Sequence, residues 1–176
     1  MYFGNFRKIA YSLDKKYFKS VTDIMSRVKI RDGILDNITL YNKYDVKSGE
    51  TPENIAFKHF GNPDLHWVIL LTNNIQDRYY DWPMSEQELE LFIKDKYSNP
   101  DGIHHYEITQ SSGKQTGNGP DDYTHKIEVN STVSGATPVS NREYEQRLQD
   151  KKRLIKLLDN KFVDSFIEEF ITLIRK

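Results

Sequence analysis

One stretch, residues 44–82, most constrains the fold, because it holds most of the apolar side chains that could form a compact core. It begins with an alternation in which Tyr44 and Val46 lie on one side of the chain and Asp45 and Lys47 on the other. A period of two is typical of a half-buried strand. The stretch therefore predicts a short strand at its start, with one face on a core.

Two short helices are predicted to follow this strand. Thr51 is placed to cap the first helix, and Pro52 takes the first helical position, where a missing N–H costs nothing. Gly61 can adopt the left-handed conformation that ends this helix, and the second starts at Pro63. Residues 75–79 are predicted to return as a second strand, antiparallel to the first. The expected order is therefore strand, helix, helix, strand.

The order and spacing of motifs in this stretch identify a resemblance. Five motifs follow one another: Tyr44-Asp45-Val46, Gly49-Glu50-Thr51, Ile55-Ala56, Phe60-Gly61 and Asn74-Ile75. Together they resemble the LysM module. A wider set, Phe60-Gly61-Asn62-Pro63, the run from Leu65 to Leu70, and Asp81-Trp82-Pro83, is similar to the baseplate wedge family of contractile-tailed bacteriophages, whose members carry a LysM-like core. This similarity extends from about Val21 to Tyr106.

The resemblance implies a structural component of the virion rather than an enzyme. Its partners would be other baseplate wedge proteins and neighbouring wedges, which it would help to join into a ring around the hub. It implies a location in the tail baseplate, after assembly in the host cytoplasm. No cofactor is expected.

The composition also favours an assembly component over a free enzyme. Hydrophobic residues make up only 37% of the chain, yet it has 11 Tyr and 9 Phe, and aromatic residues are enriched at protein contacts. The chain has no cysteine, which excludes disulfides and thiolate chemistry. Neither a Gly-X-Ser-X-Gly elbow nor a His-Glu-X-X-His helix occurs. The glycine-rich run 113–119 lacks the ending of a phosphate-binding loop.

Candidate metal and nucleic-acid sites are weak. His104 and His105 are neighbours on a predicted strand and should point to opposite faces, so only one of them could join His125. Two imidazoles do not make a closed metal site. The net charge of −1 indicates interspersed charges, with no field of one sign that favours nucleic acid or membrane. The basic run 151–153 has acidic neighbours on both sides, which favours a salt-bridged or subunit-facing surface.

Four segments are predicted: an N-terminal arm (1–42), the LysM-like core (43–83), a helix and β-hairpin extension (84–140) and a C-terminal amphipathic helix (141–176). In the arm, residues 21–28 have helical spacing, and residues 35–41 favour a strand. Ser85 and Glu88 form a capping box for the extension helix. Strands are predicted over 103–109 and 125–129, with a polar linker from 130 to 140. The fold class is therefore α+β.

The C-terminal helix offers two alternatives. Its apolar residues recur at steps of three and four, so it could cover the chain's own core or pack against other subunits. The second is favoured, because a LysM-sized core is too small to cover about 50 Å of helix at ~1.5 Å per residue. The aromatic N-terminus is expected to need a partner to become ordered. The predicted partner-binding residues are Phe3, Phe6, Phe162, Phe166, Phe170 and Ile174.

Binding of N-acetylglucosamine polymers is the alternative function. In LysM modules that bind such glycans, the sugar lies between the first turn and the loop after the second helix. The corresponding groove residues here are Gly49, Glu50, Thr51, Asn73, Asn74 and Ile75. Backbone amides there could bind the sugar. Two features weaken this alternative: Pro52 removes a donor, and the module occurs once, without a secretion signal.

Overall fold

The computed structural model describes residues 2–30, 34, 37, 39–110 and 125–175. The helices in this part of the chain are α1 (Pro52–Phe60), α2 (His66–Thr72), α3 (Glu86–Lys96), α4 (Asn141–Arg153) and α5 (Asn160–Ile174). The strands are β1 (Lys8–Tyr11), β2 (Lys19–Thr22), β3 (Tyr41–Asp45), β4 (Ile103–Gln110), β5 (His125–Val129), β6 (Thr137–Ser140) and β7 (Leu154–Leu158). The predicted α+β class is confirmed. No described helix is long and apolar enough to cross a membrane.

The chain forms two compact units. The first unit comprises Met1–Pro83 and Lys152–Lys176, and the second comprises Met84–Lys151. The glycine-rich run 113–119 lies outside the described residues, as do residues 35, 36 and 38 of the predicted strand 35–41. In the rest of that segment, residues 39–40 form a turn and a strand begins only at Tyr41.

Local end signals set the helices of the first unit as predicted. The Thr51 hydroxyl accepts a hydrogen bond from the Asn54 amide, and Gly61 ends α1 in the left-handed region, with φ of 73°. A 3₁₀ turn over Pro63–Leu65 leads into α2. Both predicted helices are confirmed. They could be predicted because the signals for their starts and ends lie within one turn of the helix ends.

The predicted return strand over residues 75–79 is wrong. β3 instead pairs antiparallel with β7, from Tyr41 opposite Leu158 to Asp45 opposite Leu154. Carboxylates hold the segment after α2 in turns: that of Asp81 accepts from the amides of residues 76 and 77, and that of Asp77 from the amides of residues 79 and 80. Such local bonds compete with a strand ladder.

The single C-terminal helix over 141–176 is also wrong. α4 ends at Arg153, β7 follows, and α5 starts after Asp159, whose carboxylate accepts from the Lys161 amide. Apolar residues of β7 fit both periods, and pairing with β3 buries Ile155, Leu157 and Leu158. This tertiary gain exceeds the small helix preference of such residues. α5 has only 15 residues, so the length of the predicted helix no longer argues for packing against other subunits.

Two apolar clusters fill the first unit. The first contains Phe6, Tyr41, Trp67, Val68, Leu158, Val163, Phe170 and Ile174, and the second contains Val46, Ile55, Ala56, Ile69, Trp82, Ile155 and Leu157. The sheet of β3 and β7 contributes to both clusters. The C-terminal residues are therefore integral to the core that the segment 44–82 begins.

In the second unit, the capped start of α3 and the strands β4 and β5 are as predicted. Ser85 and Glu88 form the expected capping box at α3, and β4 pairs antiparallel with β5. Residues 137–140, predicted as part of a polar linker, instead form β6 on the other side of β4. Val139 of β6 is 1% exposed, and one buried residue in a polar segment is too weak a signal for period analysis.

Candidate functional site

The aromatic N-terminus is partly internal. Phe6 is 7% exposed, and its ring centroid lies 5.0 Å from that of Tyr2 and 6.4 Å from that of Phe170. The Arg175 guanidinium donates to the Asn5 carbonyl at 3.2 Å. The chain's own α5 therefore orders this segment. The expectation that the N-terminus needs a partner to become ordered is corrected. Phe3 remains 57% exposed.

The inner face of α5 is also internal. Phe170 and Ile174 are buried, and the Phe170 ring centroid lies 4.6 Å from that of Trp67. The prediction that they bind a partner is corrected together with that for Phe6, because residues of the same chain cover these three side chains. Phe162 is exposed and Phe166 is half-buried, so both keep surface that a partner could contact.

Phe166 lines a cleft of about 520 Å³ in the first unit. Its other lining residues are Arg27, Val28, Lys29, Ile30, Ile34, Leu71, Glu169, Phe170 and Leu173. Most of these lining residues are apolar, and the charged ones, Arg27, Lys29 and Glu169, include both signs. Such a cleft can accept an apolar side chain, but nothing in it resembles a catalytic pair of groups.

The polar groups in the first turn of the predicted glycan groove form hydrogen bonds within the chain. The Glu50 carboxylate accepts from the Tyr44 hydroxyl, the Lys47 amide and the Lys58 ammonium. Burial acts to raise the pKa of Glu50, but these hydrogen bonds outweigh it and the pKa is lowered. The Glu50 amide donates to the Lys47 carbonyl, and the Glu50 carbonyl accepts from Trp82 Nε1. Gly49, with φ of 78°, serves this turn.

The second turn of the groove is used internally as well. The amides of Asn73, Asn74 and Ile75 donate to carbonyls of α2. The Asn73 side chain donates to the Lys156 carbonyl and accepts from the Lys156 amide, each at 2.8 Å, so it covers the outer edge of β7. These turn groups support the fold, and no observation favours the glycan alternative.

The histidines do not behave as predicted on their strand. Nδ1 of His104 lies 2.9 Å from Nδ1 of His105, because a register irregularity between Ile103 and His105 breaks the alternation of faces. The His104 ring stacks on Tyr144, with centroids 3.9 Å apart. Among the described residues, no group of three or more His, Cys, Asp or Glu side chains could hold a metal.

Two basic residues of the run 151–153 have partners in the fold. The Lys152 ammonium donates to the Tyr80 carbonyl. Arg153 pairs with Asp45 at 3.1 Å and donates to the Val46 carbonyl. It therefore fastens the start of β7 to the end of β3. The predicted salt-bridged surface is confirmed for Arg153, although its acidic partner lies on β3 rather than on the same helix.

A hairpin near the N-terminus is an exposed surface that sequence analysis missed. β1 and β2 pair antiparallel, with Ile9 opposite Val21 and Tyr11 opposite Lys19. Two features of the sequence hid it. Residues 21–28 have helical spacing, which conflicts with a strand at 19–22, and the net charge of the whole chain does not show the local excess of lysine. Two signals could have found the hairpin: the alternation of residues 8–11 and the aspartate-led turn at Asp14.

The described residues thus define an α+β protein with exposed aromatic surfaces and no evident catalytic centre in that part of the chain. The chain belongs to the base plate wedge protein 53 family, whose model matches residues 1–112. A similar curated protein is baseplate wedge protein gp53 of Enterobacteria phage T4, 37% identical over 59 residues. That match covers 34% of this chain and 30% of the relative, so less than a third of the relative's length is spanned. The family resemblance is confirmed, whereas the LysM-like nature of the core stays a prediction.

Proposed function

We propose that this chain is a structural, non-enzymatic component of a phage tail baseplate wedge. In this proposal it joins inner-wedge proteins to one another and neighbouring wedges into the baseplate ring, by protein contacts alone. The observation that carries the proposal is the family match over residues 1–112. The name of the T4 relative, a baseplate wedge protein, supports the same role. The location would be the tail baseplate of the virion, after assembly in the host cytoplasm.

The proposed contact residues are those predicted ones that keep exposed surface, namely Phe3, Phe162 and Phe166. Aromatic side chains bury a large area for few rotatable bonds, and they dominate the energetics of protein contacts. The buried members of the predicted set, Phe6 and Phe170, have a supporting role. Their packing fixes the N-terminal segment on α5, so that Phe3 is presented from a firm base.

Co-expression with the other wedge proteins of the same phage tests the proposal. We expect the wild-type chain to co-purify with at least one of them. Phe3→Ser and Phe162→Ser, made separately, are each expected to weaken that complex about tenfold, the cost of losing a moderate contact residue. Phe57→Ser is the matched control, because Phe57 is at least as exposed as Phe3 and Phe162 but lies on α1, outside the proposed contacts.

Failure of the wild-type chain to bind any wedge protein would overturn the proposed function. If the complex forms but neither variant differs from the Phe57→Ser control, the function stands and these contact residues are wrong. Circular dichroism of each variant checks that the fold is intact.

A further inference from the structure

The β1–β2 hairpin has one face that carries most of its apolar side chains and one polar face. The register places Ile9, Tyr11, Val21 and Lys19 on the first face, and Lys8, Ala10, Ser20 and Thr22 on the other. Tyr11 is 51% exposed, and Ile9 and Val21 keep 38% and 36% of their surface exposed. An amphipathic sheet normally has its apolar face on a core. The described residues cover this face only in part.

The base of the hairpin is tightly fixed. Asp23 is 7% exposed, and its carboxylate accepts from Arg7 Nε at 2.9 Å, from the Ser26 hydroxyl at 2.8 Å and from the Met25 amide at 3.1 Å. These bonds lower the pKa of Asp23. The Asp23 amide also donates to the Arg7 carbonyl at 3.0 Å. The two strands are therefore held in a defined pairing at the base of the hairpin.

The tip of the hairpin is also ordered by an aspartate. The Asp14 carboxylate accepts from the Lys16 and Tyr17 amides and from the Ser12 hydroxyl. Lys15 takes a left-handed conformation in this turn, with φ of 58°. Hydrogen bonds thus organise both ends of an element that has no apolar core of its own.

Large apolar side chains surround this tip. Leu13 is 88% exposed, Tyr17 is 78% exposed and Phe18 is 66% exposed. A two-stranded hairpin alone is marginal in water, and exposed apolar surface of this kind marks an interaction site. Pre-organisation at base and tip reduces the entropy that binding would cost. The hairpin therefore has the features of a docking arm.

The charge of the arm selects its partner. Residues 1–30 contain seven basic and two acidic side chains, a net of +5, in a chain whose net charge is −1. Lys8, Lys15, Lys16 and Lys19 lie within the hairpin itself. A symmetric dimer through this element would bring two such positive arms together, which is unfavourable. The aliphatic Ile9 and Val21 suit an apolar protein surface better than nucleic-acid bases.

We propose that the β1–β2 hairpin is a docking arm that lays its apolar face on an apolar patch, rimmed by Asp and Glu, of another baseplate wedge protein. The proposal rests on the proposed function and adds the element and the chemistry of the partner surface. Apolar burial supplies the affinity, and the lysines supply orientation and association rate.

A pair of double variants tests which face binds. Tyr11→Thr with Val21→Thr removes apolar area from one face while keeping good strand formers. Ala10→Thr with Ser20→Thr introduces the same residue type on the opposite face and is the matched control. The full-length chains are titrated against purified wedge proteins of the same phage, one at a time. We expect the first variant to bind its partner at least about tenfold more weakly, and the control to stay within about twofold.

A charge variant tests the second part of the proposal. Lys15→Glu with Lys16→Glu should slow association by about tenfold at low salt, with a smaller effect on dissociation, because exposed charges act mainly through steering. Raising the salt concentration should narrow the difference from the wild-type chain. Equal association rates at low salt would contradict an acidic partner surface.

The outcomes separate the arm from the proposed function. If the wild-type chain binds a wedge protein and the Tyr11→Thr, Val21→Thr variant binds equally well, the arm is wrong and the function stands. If the wild-type chain binds none, both are wrong. Sedimentation that shows a dimer lost in the apolar-face variant would assign the arm to a second copy, and tighter binding to duplex DNA would assign it to nucleic acid. Either result overturns the proposal.

Discussion

The two compact units are stabilised by different interactions. Most of the buried hydrophobic side chains lie in the first unit, where they form two clusters. Among the described residues of the second unit, only Ile93 and Val139 are buried hydrophobics, while Glu107, Glu145 and Gln149 are buried polar residues. One unit thus has an apolar interior, and the other has an interior built around charges.

The ion pairs of the second unit replace much of the missing apolar core. The Glu107 carboxylate accepts from both terminal nitrogens of Arg147, at 2.7 and 2.9 Å, and pairs with Lys126. Glu145 accepts from the Lys96 ammonium and the Tyr97 hydroxyl, both at 2.7 Å. Buried charges are strongly unfavourable when one partner is removed. The stability of the second unit should therefore depend on pH, above all through Glu107, whose pKa is lowered to about 2.

The largest expected effect concerns the apolar core of the first unit. Trp67→Ala removes a ring in contact with Tyr2, Phe166 and Phe170, and it should lower the free energy of unfolding of the first unit by about 3–5 kcal/mol. Urea denaturation followed by fluorescence of Trp82 measures it. Tyr79→Ala, an exposed truncation, is the control, and a similar loss there would contradict the assignment of Trp67 to the core.

The next largest effect concerns the buried ion pair between Glu107 and Arg147 in the second unit. Glu107→Gln should lower the stability of the second unit by about 2 kcal/mol at neutral pH, because Arg147 loses its carboxylate partner. Glu128→Gln, on the exposed residue opposite Glu107, is the control and should stay within about 0.5 kcal/mol. Amide exchange in β4, measured by mass spectrometry, reports the difference. Equal exchange in the two variants would show that the charged interior contributes little.

The same variant carries a pH signature. Arg147 first, and then Lys126, lower the pKa of Glu107 from about 4.5 to about 2. A lowered folded-state pKa stabilises the fold above the unfolded-state value, and this contribution is lost as pH falls from about 4.5 towards 2. The gap between the wild-type chain and Glu107→Gln should therefore shrink in that window. A gap independent of pH would contradict the ion-pair explanation.

A smaller effect concerns a polar contact within the apolar unit. Asn73→Ala removes bonds to both backbone groups of Lys156 and exposes the outer edge of β7, for a loss of about 1–2 kcal/mol. Asn42→Ala on β3 is the control, since Asn42 is exposed. Chemical denaturation of both variants measures the difference. An equal loss would mean that the side-chain cover of β7 is dispensable.

The smallest effect compares helix caps across the two units. Ser85→Ala breaks a reciprocal capping box, in which Ser85 Oγ and the Glu88 carboxylate each accept a backbone amide, and should cost about 1 kcal/mol. Thr51→Ala removes a cap bond of the same length, from the Asn54 amide at 3.3 Å, but this cap has no reciprocal bond, so the loss should be about 0.5 kcal/mol. Thermal melts rank the two variants, and the reverse order would contradict the geometry.

Local signals predicted the helices well and the exposed surfaces poorly. α1 and α3 have caps within one turn of their ends, and the residues that form them, Thr51, Gly61 and Ser85, can be recognised in the sequence. The arm of β1 and β2 was missed because residues 21–28 also fit a helical period. The phenylalanines of α5 fit a stripe, but a stripe does not say whether its cover is the same chain or another one.

The sequence by itself determined the α+β class, the family resemblance and the helices that begin and end on capping residues, because those signals act over three or four neighbours. Only the tertiary structure decided which strand pairs with β3 and where Phe6 and Phe170 lie. Residues 154–158 are apolar at almost every position, so helix and strand are both compatible with them. Their conformation depends on a partner strand more than a hundred residues away, a contact whose free energy no local pattern contains.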